Sequence, residues 1–226
     1  MADYKKPDYW QLKAKKEGYP ARSVYKLMEI DDKFSLLKIK RAHSTGDNSK
    51  NNPSFRVIDI GAAPGSWSLY ILRKIAASSR AGGVSYIKNG FLAAVDLLPV
   101  SREYDNGLFD NGNFFFIQGD ARAAEVREAL GARGPYSLII SDAAPNTTGS
   151  HLIDCARSLE LAETAVSYAE NSLVSGGNLT LKIFQGSGTD LLLKKLKTLF
   201  ETAKSFKPQA CRDESVETYF IGLGKK

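Results

Sequence analysis

The sequence predicts an α/β protein, a doubly wound and mostly parallel sheet with helices on both faces. Two observations carry this prediction. From residue 55 to residue 224, short apolar runs alternate with stretches of helical periodicity, the order that builds a parallel sheet. The apolar runs are nearly continuous rather than alternating, as strands covered on both faces must be. A third feature fixes the starting point: "VIDIGAAPGSWSLYIL" (57–72) runs from strand through a glycine turn into helix.

The elements are justified in chain order. "ARSVYKLMEIDDKF" (21–34) reads as a helix, because Val24, Leu27 and Met28 form an apolar stripe at helical spacing. Arg22, Lys26 and Glu29 are then expected on its polar face. Residues 41–54, "RAHSTGDNSKNNPS", are polar and turn-forming, a loop or linker. "FRVIDIG" (55–61) is the first strand and Ser66 to Ala77 the helix after it. "GFLAAVD" (90–96), "FFFIQGD" (114–120) and "YSLIISDAAP" (136–145) read as further strands. The segments between, 78–90 and 104–113, read as insertions, the second with two Asn-Gly turn signals. A helix over about 153–175 precedes strand "NLTLKIFQG" (178–186). A helix over 190–203 and a last strand, "ETYFIGLG" (217–224), complete the chain.

Composition excludes several function classes. Hydrophobic residues make up 43% and charged residues 25% of 226, suited to one globular domain with a full core. No apolar run is long enough for a membrane helix, and "MADYKKPDYW" has no signal-peptide core. Cys155 and Cys211 stand far apart without CxxC partners, so neither a disulfide framework nor a zinc site is indicated. His43 and His151 are the only histidines, which leaves little for metal hydrolysis or Ser–His–Asp chemistry. His151 and Cys155, one helical turn apart, are too few ligands for a metal, and no metal is expected. A cytoplasmic monomer is the expectation. Net charge is +6, and residues 1–40 hold ten Lys/Arg against six Asp/Glu. Tyr4, Tyr9, Trp10, Tyr19 and Tyr25 are interleaved with those cations, a mixture that suits either RNA phosphates and bases or a solvated helical lead-in.

The glycine turn lies where an open parallel sheet binds ligands, beyond the carboxyl end of its first strand. Gly61 and Gly65 let a ligand approach the backbone, and the helix N-terminus after Gly65 faces the same place. Taken alone, such a turn can also be glycine for packing only. Acidic residues at the ends of the next strands strengthen the binding reading. Asp96 can accept bonds from ribose hydroxyls, Asp120 lies within reach of an adenine amino group, and Asp142 ends the fourth strand. Each could instead be a helix cap or turn residue. The turn is not GxGxxG, and the missing third glycine disfavours a nicotinamide cofactor. S-adenosylmethionine fits better, with Gly61, Gly65, Ser66 and Trp67 around its methionine end, Asp96 at ribose and Asp120 at adenine. "GSGTD" (186–190) lacks the Walker lysine and reads as a turn, with Thr189 or Asp190 capping the next helix.

"ARSVYKLMEI", "VIDIGAAPGSWSLY", "DLLP", "QGD", "SDAAPNTTG", "LKIFQG" and "ETYFIGLG", in this order, resemble the FtsJ/RrmJ family of S-adenosylmethionine-dependent RNA ribose 2′-O-methyltransferases. The likeness runs from about residue 8 to 224, interrupted at 41–54, 78–90 and 104–113. It implies a Rossmann-like methyltransferase fold with a mostly parallel, seven-stranded sheet. It also implies a catalytic Lys–Asp–Lys–Glu tetrad, falling on Lys26, Asp142, Lys182 and Glu217. Cofactor contacts carried over the same way fall on Gly65, Trp67, Asp96, Asp120 and Asp142. The family's Gly-Gly before the tryptophan is Gly65-Ser66 here. Its Lys-Pro-x-Ser-Ser-Arg stretch is "KPQACR" (207–212), without both serines.

The charge and aromatic content of residues 1–20 mark them as a basic, aromatic lead-in, and 21–226 is expected to be one methyltransferase domain carrying the insertions. Lys182 is expected to accept the proton of the ribose hydroxyl, with Lys26 and Glu217 orienting that hydroxyl and Lys182. Its alternative is a strand-end lysine reaching solvent. The expected substrate is RNA in the large ribosomal subunit, most simply a uridine of its ribosomal RNA. A transfer RNA anticodon loop and a catalytically silent assembly factor of the same fold are the alternatives. No membrane partner is expected.

Overall fold

The computed structural model describes residues 7–38, 55–80, 87, 89–212 and 214–226. The predicted loop over 41–54 and most of the 78–90 insertion lie outside them. Among the described residues six α-helices and seven strands follow in chain order: α1 (Tyr9–Lys16), α2 (Val24–Phe34), β1 (Arg56–Ile60), α3 (Ser66–Arg80), β2 (Phe91–Asp96), β3 (Phe114–Gln118), α4 (Ala124–Gly131), β4 (Tyr136–Ser141), α5 (His151–Ser172), β5 (Leu173–Phe184), α6 (Thr189–Leu199), β6 (Phe200–Phe206) and β7 (Glu217–Lys225).

The strands form one sheet in the order β3-β2-β1-β4-β5-β7-β6. The pairs from β3 to β5 are parallel, and β7 lies antiparallel to both β5 and β6. Strand alternation divides the core in two. Val57, Leu92, Leu138, Ile140, Tyr219 and Ile221 pack on one face beneath α1, α2 and α3. Ile58, Ile60, Ala93, Val95, Ile139, Leu181 and Phe220 pack on the other beneath α4, α5 and α6. A period of two thus assigns each strand residue to a face.

Several expectations are corrected. Residues 200–203 are not helical; they begin β6, one of the two edge strands, whose side chains are mostly exposed. Helix α5 stops at Ser172, and β5 begins five residues earlier than predicted, at Leu173, which pairs with Tyr136 across a register shift. Neither Thr189 nor Asp190 caps α6. Gly188 holds the N-cap with φ +86, and the Thr189 hydroxyl donates back to Gly186 O at 2.8 Å. The polar face of α2 is not solvated, since Lys26 is buried and the Glu29 carboxylate accepts the backbone N–H groups of Gln209 and Ala210. Helix α1 is tied to the body through Ala14, 1% exposed, and through Trp10, whose ring lies 5.0 Å from that of Tyr25. Tyr19 and Tyr25 are core residues, so they offer no face to a base; Tyr9 is exposed. Tyr4 lies outside the described residues.

Candidate active site

The carboxyl ends of β1, β2 and β4 carry the site. After β1 the chain turns at Gly61 (φ +78) and Gly65 (φ +108), values that favour glycine. The turn is fixed from two sides. Gly61 N and Ala62 N donate to Val95 O at 2.9 and 3.1 Å, and Ala63 N donates to Asp96 Oδ2 at 2.9 Å. A Cβ on Gly61 would lie 2.6 Å from Ala143 Cα, so the loop after β4 packs against the turn. Helix α3 then starts at Ser66, whose hydroxyl exchanges hydrogen bonds with the backbone of Ala21, while the Trp67 indole donates to Ser23 O at 2.8 Å. Both side chains are buried, and they join the start of α2 to the turn.

Alternation along the strands explains how four distant charges meet. Leu138 and Ile140 point to the α2 side of the sheet, and Asp142 follows them with the same parity. Lys182 and Tyr219 are cross-strand partners on that face, and Glu217 is two residues before Tyr219. Lys26 comes down from α2. All four charged side chains are largely buried. Lys182 Nζ lies 2.8 Å from Asp142 Oδ1 and 3.8 Å from Glu217 Oε2, and it donates to Asp142 O at 3.0 Å. Lys26 Nζ lies 2.5 Å from Glu217 Oε1. The Tyr219 hydroxyl donates to Asp142 Oδ1 at 2.6 Å. The structure therefore brings Lys26, Asp142, Lys182 and Glu217 into one cluster, and Lys182 does not reach out to solvent.

Burial works against the charge on Lys182, but Asp142 and then Glu217 outweigh it, so its pKa is raised and the resting form is the ammonium. Burial likewise opposes the charges on Asp142 and Glu217. For Asp142 the Lys182 and Lys26 cations and the Lys182 and Tyr219 hydrogen bonds prevail; for Glu217, Lys26 and Lys182 do. Both carboxyls are held below their ordinary values. The Cys211 thiol, buried and hydrogen-bonded to Glu217, is pushed up to about 12. Cys211 belongs to the stretch in which the family serines are missing, and nothing in the sequence alone pointed to its contact with Glu217.

The other candidates spread along the strand ends. Sheet order places Asp120, Asp96, the glycine turn and Asp142 side by side, over three strand spacings of roughly 4.8 Å. Asp96 is partly exposed, with Leu98 N donating to its second oxygen at 2.8 Å. Asp120 lies beyond the end of β3 rather than within it, and Arg122 and its N–H hold both carboxylate oxygens, which lowers its pKa. A row of carboxylate acceptors beside a backbone turn suits a ligand rich in hydroxyl and amino groups, such as a nucleoside joined to an amino acid. A cavity of about 420 Å³ opens at the Lys26–Glu217 end of the cluster, lined also by Arg22, Ser23, Arg212, Glu214 and Ser215. Among the described residues no group of three or more His, Cys, Asp or Glu could hold a metal, and no helix is long and apolar enough to cross a membrane.

Comparison with known proteins agrees with this geometry. The chain is 43% identical over 223 residues to ribosomal RNA large subunit methyltransferase E of Treponema denticola, covering 99% of this chain and 97% of the relative. It is 41% identical to the protein of the same name from Borrelia duttonii, covering 95% and 94%. A crystal structure of a Plasmodium falciparum protein assigned as a ribosomal RNA methyltransferase shares the fold, with a TM-score of 0.68 at 24% identity over 92% of this chain and 98% of that one. A human methyltransferase 10 domain containing protein matches more distantly, with a TM-score of 0.53 at 12% identity over 91% and 83%. The family model for FtsJ-like methyltransferases matches residues 19–225, from the approach to α2 through β7 and so across every element that builds the charged cluster, and the chain belongs to that family.

Proposed function

We propose that this protein transfers a methyl group from S-adenosylmethionine to a ribose 2′-hydroxyl of large-subunit ribosomal RNA. The observation that carries the proposal is the buried Lys26–Glu217–Lys182–Asp142 cluster at the strand ends that carry the glycine turn, with a cavity opening at Lys26 and Glu217. The names of the Treponema and Borrelia relatives support the ribosomal substrate. In this reading Gly61, Gly65, Ser66 and Trp67 form the methionine end of the cofactor site, Asp96 the ribose end and Asp120 the adenine end. Residues 1–20 form an RNA-facing lead-in to a methyltransferase body over 21–226.

Bound S-adenosylmethionine supplies an electrophilic methyl on a positively charged sulfur. The protein would align the hydroxyl oxygen in line with that methyl and take up its proton, the C–O bond forming as the methyl–sulfur bond breaks and its electron pair returns to sulfur. Alignment alone can contribute several kcal/mol. Lys182 is the proton acceptor, and only its neutral form can serve. Asp142 fixes Lys182 through two contacts, to Oδ1 and to the backbone carbonyl. Lys26 shares the charge of Glu217 and holds that carboxylate nearer to itself than to Lys182. Without Lys26, Glu217 would bind Lys182 more tightly as an ammonium.

The test offers equal amounts of large-subunit particles and total transfer RNA to the enzyme with labelled cofactor, followed by mass-spectrometric mapping of methylated nucleosides. The expected result is a 2′-O-methyl nucleoside in ribosomal RNA. Label only in transfer RNA would overturn the substrate, and a methylated base would overturn the reaction type. No transfer to any RNA would leave a silent assembly factor.

A further inference from the structure

The 104–113 insertion takes no part in the chemistry above, yet it leans on the glycine turn. After β2 the chain comes back across that turn before entering β3. Ser101 N donates to Pro64 O at 2.9 Å. A 3₁₀ turn over Leu108–Asp110 then places Phe109, 8% exposed, against Gly65. A Cβ on Gly65 would lie 3.2 Å from Phe109 Cζ and 3.5 Å from Val100 Cβ. The Phe109 ring is backed by Phe114, stacked at 4.5 Å between centroids. Arg102 holds the insertion closed, with Nη2 at 2.9 Å from Asp105 Oδ2 and 2.5 Å from Asp110 Oδ2. Arg73 of α3 donates to Tyr104 O at 3.3 Å.

Within the turn itself, the Gly65 N–H closes onto Ala62 O at 2.7 Å. A glycine at φ +108 has many other conformations open to it, and a ligand that needs this one must otherwise supply the ordering free energy itself. We propose that the segment from Val100 to Asn113 is a clasp that holds the cofactor turn in its binding shape, with Phe109 as the positioning residue. The proposal rests on the reading that this turn holds S-adenosylmethionine. It gives the 104–113 insertion a task in cofactor affinity, separate from RNA recognition and from the proton step.

Calorimetry with S-adenosylhomocysteine tests it, because that probe carries no transferable methyl and reports binding alone. Phe109→Ala is expected to bind about tenfold more weakly, the loss of a preorganised site. Arg102→Ala, a change at a largely exposed side chain that loosens the clasp without opening the core, is expected to bind about threefold more weakly. Phe109→Leu, which keeps bulk against Gly65, and Phe34→Ala, which removes a ring packed on Phe206 well away from the turn, should both stay within about twofold of the parent. Amide exchange at Gly65, read in the protein without ligand, should quicken in Phe109→Ala and Arg102→Ala only. Parent-like affinity in both of those variants, or an equal loss in Phe34→Ala, overturns the clasp. Failure of the parent protein to bind the probe would instead overturn the cofactor reading beneath it.

Discussion

Lys182 is stable inside the sheet because two carboxylates face it, and the same carboxylates hold it in the form that cannot accept a proton. Its raised pKa fixes the sign of the expected pH dependence: the neutral fraction rises with pH, and with Lys182 as the proposed acceptor the single-turnover rate should rise with it. Glu217→Gln removes one of the charges that raises that pKa, so the inflection of the rate profile should move to lower pH. A shift to higher pH would contradict Lys182 as acceptor. Lys182→Ala should abolish transfer while S-adenosylhomocysteine affinity stays within a few-fold, and near-normal turnover would remove Lys182 from the mechanism. Asp59 presents a separate titration. It is fully buried on β1, accepts a bond from Ser68 Oγ at 2.7 Å, and has an Oδ1 with no partner. Burial, the dominant cause, pushes its pKa up to about 7, and the Asp142 and Asp96 charges add to that. The folded state therefore holds the proton more tightly than the unfolded chain, and stability is lost as pH rises from the ordinary carboxylate range to about 7. Asp59→Asn should remove that decline. Chemical denaturation at pH 5 and pH 8 checks it: parallel changes in parent and variant would mean that Asp59 is already ionised.

Among the elements, β5 is tied to the chain after α2 by one buried amide. Asn178 donates from Nδ2 to Leu36 O at 2.8 Å and to Lys38 O at 3.2 Å, and its Oδ1 accepts Gly224 N at 3.0 Å. It thus joins the chain after α2 to β5 and β7. Asn178→Ala leaves these backbone groups unpaired in a buried place and should cost about 2–4 kcal/mol. Urea unfolding with an unchanged m-value would measure it, and a loss under 0.5 kcal/mol would mean the groups find other partners. Strands β1, β2, β4 and β7 were legible in the sequence because continuous apolar runs state their burial directly, and β3 because its run of three phenylalanines and an isoleucine favours strand even at an edge where it is only half-buried. The edge strand β6 was not. "FETAKSF" buries little on either side, and its Glu, Ala and Lys are ordinary helix residues, so local preference pointed to an extension of α6. The start of β5 was hidden in the same way, because Leu173 and Val174 continue the apolar pattern of α5 and only pairing with β4 turns them into strand. Lys26 shows the limit for single residues. Its helical position marks it as polar-face, and the partner that buries it, Glu217, comes from the far end of the chain.

On the scale of the whole molecule, seven strands with helices on both faces leave one edge where strand ends, the start of α2 and the loop before β7 converge. The residues proposed to hold the cofactor and the cavity lined by Arg22, Lys26, Arg212 and Glu217 both lie at that convergence. The placement of the glycine turn and the strand-end acids along one edge was legible because it follows from strand order and strand ends on such a sheet. The cavity was not, since Arg212 and Ser215 reach it from a loop of no regular pattern. Helix α1 stands next to this side, with Trp10 against Tyr25 of α2, and carries Lys13, Lys15 and Lys16 in its last turn. Lys13 is engaged with the rings of Trp10 and Tyr25, whereas Lys15 and Lys16 are exposed. A soluble surface alone would account for them. If they instead follow RNA, replacing both with alanine should weaken binding at every RNA sequence alike. It should also flatten the logarithmic salt dependence by roughly 0.7–0.9 per lost phosphate contact. The body should be unaffected, because Ala14 and Trp10, not these lysines, pack the helix down. Filter binding over a range of potassium chloride concentrations, with an unfolding curve for the double variant, separates the two readings: an unchanged slope in a normally stable protein would assign Lys15 and Lys16 to the solvated surface.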